Sequence, residues 1–450
     1  MSLERARLHA LMLGERERFE SARPRSKALF QKASLRMPGG VPMLWMAKWP
    51  GPWPVYVKSA RGAHFECVDG IDHVDLCLGD TGAMVGHSPP ATSQAIVDQL
   101  SKGITTMLPT EDAEIVASLL ADRFGVPLWQ FTLTATDANR AMIRYSRQVT
   151  GKSKVLIMDY AYHGSVDETF ATLDDQGAVV KRRGNIGAPV DPALTTLVVP
   201  FNDVEALESA FATGDVACVL IEPAMTNIGI VLPDDGWHQA LRKLCTEHDA
   251  ILIIDETHTL CAGPGGMTQR DGLRPDAVVV GKTIAGGIPA GAYGMTQRLQ
   301  DRVYDSLSLE DIDVGGVGGT LAGNALSLAA MRATLGSVLT EDVYPDMILR
   351  AEEWTSGVQS CLTDLGVPWQ VTQLGARAEY SFLPQAPRDG REAAAADDFE
   401  LQQYLHLHAL NRGILMTPFH NMALMSPETT QSDVAAHTAH FREAVESLFL

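Results

Sequence analysis

Short, continuous apolar runs crowd the middle of this 450-residue chain: KVLIMD from Lys154, TTLVVPF from Thr195, VACVLIEP from Val216, AILIID from Ala250, DAVVVG from Asp276 and GAYGMT from Gly291. Helix-like stretches such as VEALESAF and WHQALRKLCTEH separate several of them. A strand that is apolar along its whole length, rather than at every second residue, is covered on both faces. Such strands alternating with amphipathic helices predict a mostly parallel sheet with helices on either side. The expected class is α/β.

Around this core the punctuation changes. Upstream, RMPGGVPMLWMAKWPGPWPVY is dense in Pro, Gly, Trp and Met and predicts an irregular apolar segment that packs against something. Downstream of Asn324, the helical ALSLAAMRATLGSVL and LQQYLHLHALNR are joined by the strand-like VPWQVTQLG and AEYSFL, with PQAPRDGREAAAADD expected as an exposed loop. The economical division is an N-terminal segment 1–60, a large domain 61–325 and a C-terminal small domain 326–450.

Composition narrows the partners. With 36 basic against 55 acidic residues and a net charge of -19, the chain offers no basic face to nucleic acid or to an anionic membrane. Its six cysteines are scattered without a CxxC pair, as expected of reduced, buried thiols, and no metal site is implied. The N-terminal MSLERARLHALMLGERERF mixes arginines with Glu4, Glu15 and Glu17, unlike a signal or transit peptide, and no apolar run approaches the roughly 20 residues of a membrane span. A cytoplasmic location is expected.

Two charged residues stand out at the ends of apolar strands: Asp255 in IIDETHT and Lys282 in VVVGKTIAGGIP. Ligand sites of open α/β sheets lie at the carboxyl ends of strands, so both could face one crevice. An aspartate there is more often a helix cap, and a lysine more often a solvated surface residue. The small-residue loop after Lys282 argues otherwise, because it lets a bulky ligand approach closely. GKT and DETH also echo a nucleotide hydrolase. However, the P-loop glycine position is occupied by Asp276, whose carboxylate would repel phosphate, and the two motifs stand in reverse order.

With these residues in place, the chain resembles the class III, fold type I aminotransferases, in the branch that includes glutamate-1-semialdehyde aminomutase and β-phenylalanine aminotransferase. The resemblance runs from about Met37 to the C-terminus. It is carried by PGGV at Pro38, CVDG at Cys67, GHSPP at Gly86, YHG at Tyr162, IEP at Ile221, DETHT at Asp255, GK at Gly281 and GTLAGN at Gly319. It implies a large domain with a mostly parallel central sheet, a smaller α+β domain from the two terminal segments, and pyridoxal 5'-phosphate as cofactor.

By the same resemblance Lys282 carries the cofactor as a Schiff base and Asp255 bonds the pyridine nitrogen, keeping it protonated so that the ring can withdraw electrons. Tyr162 is implied to stack on one ring face, with Thr257, where valine is more usual, on the other. Glu222 and Asn227 are implied to tie the Asp255 region and the phenolic oxygen into a polar network. The family's Ser-Gly-Thr phosphate turn is matched by Thr134, Ala135 and Thr136, opening a helix whose apolar stripe is Ala138, Ala141, Met142, Tyr145 and Val149. With alanine at 135, that turn should not require a positive φ. Thr320 is implied to reach the phosphate of a neighbouring subunit in a homodimer.

Substrate is where the chain departs from its relatives. Where they place arginines for a substrate carboxylate, this chain has Met46, Met43 and Phe419, with Trp45, Trp49, Trp53 and Met416 alongside. A carboxylate left unpaired in apolar surroundings costs several kcal/mol, so a hydrophobic amine or amino acid is the expected donor, with a keto compound as acceptor. Arg377, Lys48 and His420 are the candidate cations for a donor that bears a carboxylate. An intramolecular aminomutase is the alternative enzyme, and a non-catalytic cofactor-binding protein the alternative of another class.

Overall fold

The computed structural model describes residues 3–306 and 316–449. It contains two compact units, one of Pro90–Tyr344 with Pro387–Ala395, the other of Met1–Pro89, Pro345–Ala386 and Ala396–Leu450.

The first unit is built on a seven-stranded sheet. Its strands lie in the order Leu128–Thr132, Gly291–Met295, Ala277–Gly281, Ile251–Asp255, Val216–Ile221, Lys154–Met158, Thr196–Val199. Only Gly291–Met295 runs against the others. Every residue of Val216–Ile221, Ile251–Asp255 and Ala277–Gly281 is buried. The reason is visible in how successive residues divide. Leu156, Met158, Val219, Ile221, Leu252 and Ile254 pack with Trp237 and Leu241 on one face. Val155, Ile157, Cys218, Leu220, Ile251 and Ile253 pack with Ala138 and Met142 on the other. Side chains alternate across a strand, so a sheet with two helical layers needs apolar residues at both parities. Truncating a side chain in either layer, Ile253→Ala for example, should cost about 2–5 kcal/mol.

The helix Ala135–Thr150 follows the edge strand. Thr134, with φ -150 and ψ 158, caps it by accepting from the Asp137 N–H, and Gly151 ends it in the left-handed region, its N–H donating to the Arg147 carbonyl.

In the second unit, Val57–Arg61, His64–Cys67 and Asp72–Asp75 form an antiparallel sheet that Ile414–Leu415 joins in parallel. A second sheet holds Gln370–Leu374, Arg377–Ser381 and Met422–Leu424. Residues 61–89, placed by the expected division in the large domain, group instead with the terminal segments: Asp72–Asp75 pairs with Ile414–Leu415, and the antiparallel strands beside it follow. Conversely, the expected loop 384–398 contains the short helix Gly390–Ala395, and its Arg388 carbonyl accepts from Asn202 Nδ2 at 2.9 Å within the large unit. An alanine-rich stretch has the propensity for such a turn of helix.

The Trp/Met/Pro-rich segment packs only in part. Trp53 is buried edge-on to Phe19, with ring centroids 5.6 Å apart, beside Leu407 and Leu410, whereas Met43, Leu44, Trp45 and Met46 are exposed.

Candidate active site

Strand register brings the sequence motifs to one end of the large sheet. Asp255 pairs with Val279 and Ile254 with Ile221, so Glu222, Asp255 and Lys282 follow one another at the carboxyl ends of three adjacent parallel strands. Across the antiparallel strand, Gly281 pairs with Gly291 and Gly291 with Thr132, which adds Thr134 to the same edge. Two glycines make this closeness possible. A Cβ at position 281 would lie 2.9 Å from the Ala135 Cβ, and one at 291 would lie 2.4 Å from the Thr134 carbonyl group. Without side chains there, the start of the helix sits directly against the strand that delivers Lys282.

Lys282 has a φ of 52°, in the left-handed region that a lysine seldom adopts. Such a conformation costs about 1–3 kcal/mol and persists where its surroundings over-determine it. Here the residues that follow, Thr283, Ile284 and Ala285, are all buried. The Lys282 Nζ lies 2.8 Å from Nε2 of His258.

Asp255 is 4% exposed. Its Oδ2 is 3.0 Å from His163 Nδ1 and accepts from Asn139 Nδ2 at 3.0 Å, and its Oδ1 accepts from the Thr257 N–H at 3.1 Å. Burial alone would push this carboxyl up. The hydrogen bond and charge of His163, with Thr257 and Asn139, outweigh it and hold the group at about 2. An ionised carboxylate only accepts, so His163 Nδ1 carries a hydrogen and is the donor. Asn139 also donates to the His163 carbonyl at 3.1 Å, locking the two together. Among the described residues, His163 Nε2 and Asn139 Oδ1 are buried with no protein partner.

The remaining residues of the set fall in the two units. Glu222 is buried, and its carboxyl accepts from the backbone and hydroxyl of Thr226. Burial pushes it above the ordinary carboxylate range, against the opposing effects of His163 and Thr226. Asn227 Nδ2 donates to the Tyr160 carbonyl at 2.9 Å, fixing the loop that leads to Tyr162, whose ring meets Phe170 edge-on at 6.1 Å. Thr257 is buried. Ala135 is the first helical residue and is not at positive φ, and the Thr134 hydroxyl donates to Asp137 Oδ2 at 2.9 Å. Thr136 Oγ1 accepts from the Ser165 N–H at 3.3 Å. Thr320 is exposed in the turn before the helix Ala325–Ser337.

Met43, Met46, Phe419, Arg377, Lys48 and His420 belong to the other unit. Met43, Met46 and Phe419 are close to half exposed, and Trp45 lies edge-on to Phe419 at 6.2 Å. Arg377 is buried and donates to the Thr81 hydroxyl at 2.9 Å. His420 Nδ1 lies 3.5 Å from Glu379, and Lys48 is exposed.

Three polar side chains at the sheet edge were not singled out from sequence: His163, Asn139 and His258. Each left a signal. His163 and His258 stand inside YHG and DETHT, and Asn139 interrupts the apolar stripe of its helix, where a polar residue needs a buried partner.

Residues 45–445 match the family described as Aminotransferase class-III. The chain belongs to that family. Class-III aminotransferases are pyridoxal-phosphate-dependent enzymes of fold type I, and this chain is one of them. It is 33% identical over 412 residues to the glutamate-1-semialdehyde 2,1-aminomutase of Methanoculleus marisnigri, covering 90% of this chain and 96% of that protein. Among solved structures, a glutamate-1-semialdehyde-aminomutase from Pseudomonas aeruginosa PAO1 matches with a TM-score of 0.96 and 47% identity over 100% of both chains. A β-phenylalanine aminotransferase from Variovorax paradoxus matches with a TM-score of 0.87 and 25% identity, over 98% of this chain and 97% of that one.

Proposed function

We propose that this class-III enzyme moves an amino group from a hydrophobic amine or amino acid to a keto acceptor in two half-reactions, with Lys282 and Asp255 carrying the chemistry. The observation that supports this most is the buried Asp255, held ionised at about 2 by three donors with Lys282 at the end of the neighbouring strand. A carboxylate offers about four acceptor positions, so three donors leave room for another. The partnerless buried atoms of His163 and Asn139 fit a site completed by a polar ligand.

When bound, pyridoxal phosphate supplies an electron sink for the pair left behind as the substrate's Cα–H bond breaks. Asp255 would keep a proton on the ring nitrogen through a charge-assisted hydrogen bond, with His163 and Asn139 orienting the carboxylate. Lys282 Nζ would be the group that holds the cofactor, and, once displaced by an incoming amine, the base within reach to move a proton at the substrate's Cα. Tyr162 and Thr257 would be the residues to hold the ring from either side, while Glu222, bonded to Thr226, and Asn227, bonded to the Tyr160 carbonyl, would support the neighbouring loops. The N-terminus of Ala135–Thr150, with Thr134, Ala135 and Thr136, would receive the phosphate on its N–H groups and dipole. Thr320 contributes to the phosphate site of a second copy in a homodimer. The six free, buried cysteines support a reducing, cytoplasmic setting.

Donor preference follows from Met43, Met46 and Phe419, apolar where amino-acid-handling relatives carry arginine, with Arg377 the candidate cation for a carboxylate-bearing donor. The names of the relatives favour a second reading, an aminomutase that moves the amino group within one molecule. Incubating the cofactor-loaded protein with an amine panel, with and without pyruvate, separates the two. Ketone that forms in catalytic amounts only with the acceptor supports transamination, and turnover of glutamate 1-semialdehyde without any acceptor rejects it.

A further inference from the structure

We infer that His258 takes and returns the proton of Lys282 Nζ each time that nitrogen leaves or rejoins the cofactor. The inference rests on the reading of Lys282 as the cofactor-bearing lysine. Two nitrogens 2.8 Å apart share a single hydrogen. If Lys282 is an ammonium it donates to Nε2 of His258, and if it is a neutral amine its lone pair accepts from an Nε2–H. The same heavy-atom geometry serves both states, so the proton crosses without either side chain moving.

The need for such a carrier is chemical. An amine attacks a carbon only when neutral, and an unperturbed lysine, near pKa 10.4, is overwhelmingly charged at neutral pH. A departing amine, conversely, must gain a proton. In the first direction the Nζ–H bond breaks, Nε2–H forms and the positive charge moves to the imidazole; in the second the same proton returns, and no outside reactant is consumed. Histidine, near 6.5, is the side chain suited to hold that proton transiently around neutrality.

The backbone holds the imidazole in place for this. On one side the Thr257 N–H is bonded to Asp255 Oδ1; on the other, the Thr259 hydroxyl and the Leu260 N–H are bonded to the Glu256 carboxylate and carbonyl. Thr257, Thr259 and Leu260 are buried, and His258 is partly exposed, as a group that must reach a ligand site requires.

The test uses the full-length, cofactor-loaded protein as wild type, His258→Ala and His258→Gln. The absorbance of the lysine-linked cofactor is recorded first. Its absence in the wild type would remove the Lys282 reading and this inference with it; its loss in both variants alone would make His258 structural and overturn the inference only. Displacement of Lys282 is then timed with O-methylhydroxylamine, which has no Cα–H bond to break, so that only the exchange at Nζ is read. Both variants should slow by about tenfold or more, because glutamine bonds an ammonium but cannot carry its proton. Added imidazole should restore His258→Ala, while pyrazole, similar in shape but a far weaker base, should not. A His258→Gln rate equal to wild type, or equal rescue by both heterocycles, would overturn the inference.

Discussion

The carboxyl-terminal edge of the large sheet and the apolar loops of the smaller unit show opposite ways of building with side chains. At the sheet edge, Asp255 is buried among three donors, His163 is locked by Asn139, and Lys282 is forced into a left-handed conformation by a buried turn. Around Met43, Met46 and Phe419 the side chains are close to half exposed, with Trp45 edge-on to Phe419 and its backbone N–H donating to the Met43 sulfur. A group that must keep one charge state and one orientation needs fixed, low-dielectric surroundings, whereas residues that select among ligands can vary without disturbing a core. On the proposed reading, the first region sets the reaction and the second the donor.

Breaking the first region should have the larger effects. Lys282→Ala should abolish the absorbance of the lysine-linked cofactor and lower turnover by about a thousandfold or more, since both nucleophile and proton carrier are gone. Asp255→Asn keeps the shape but loses the charge that, on the proposed reading, holds the ring nitrogen protonated. A loss of a few kcal/mol in transition-state stabilisation should slow the half-reaction by about a hundredfold or more in stopped-flow assays.

The second region should shift preference and leave the chemistry intact. Met43→Arg or Phe419→Arg should move kcat/KM towards a carboxylate-bearing donor, relative to its neutral analogue, by about 1–3 kcal/mol. A wild type that already prefers the carboxylated analogue, and loses that preference in Arg377→Ala, would exchange the roles of Arg377 and the apolar residues.

The smallest effect concerns stability. The Asp255 carboxyl lies near 2 in the folded protein, below its ordinary value of 3.8. A depressed folded pKa stabilises the fold above the unfolded pKa and is lost as pH falls through the folded one. The stability gap between cofactor-free wild type and Asp255→Asn, measured by urea unfolding, should therefore change by about 1 kcal/mol against the wild type between pH 5 and pH 3.

Much of this was legible in the sequence, and for identifiable reasons. The parallel sheet could be read because strands such as Val216–Ile221 are apolar at both parities, and Asp255 and Lys282 because they end such strands. The start of the helix at Ala135 could be read because helix starts have a local code, here Thr134 as the cap. What was not legible depends on partners distant in sequence. Asn139 and His163 meet Asp255 from 116 and 92 residues away, so their local patterns mark them as buried polar residues without naming the partner. The grouping of 61–89 with the terminal segments needed the pairing of Asp72–Asp75 with Ile414–Leu415. Burial of the tryptophan-rich segment was overestimated because composition counts apolar residues without saying which ones meet a neighbour: Trp53 meets Phe19, while Met43 and Met46 remain exposed.

The central claim, that Lys282 carries the cofactor, is tested most directly by reducing the pyridoxal-phosphate-loaded protein with borohydride and mapping the modified lysine by peptide mass spectrometry. The account predicts one pyridoxyl label, on the peptide containing Lys282, and none on that peptide when the protein is first converted to its amino form with an excess of donor. A label on any other lysine, or an unlabelled protein that nonetheless turns over, would contradict it.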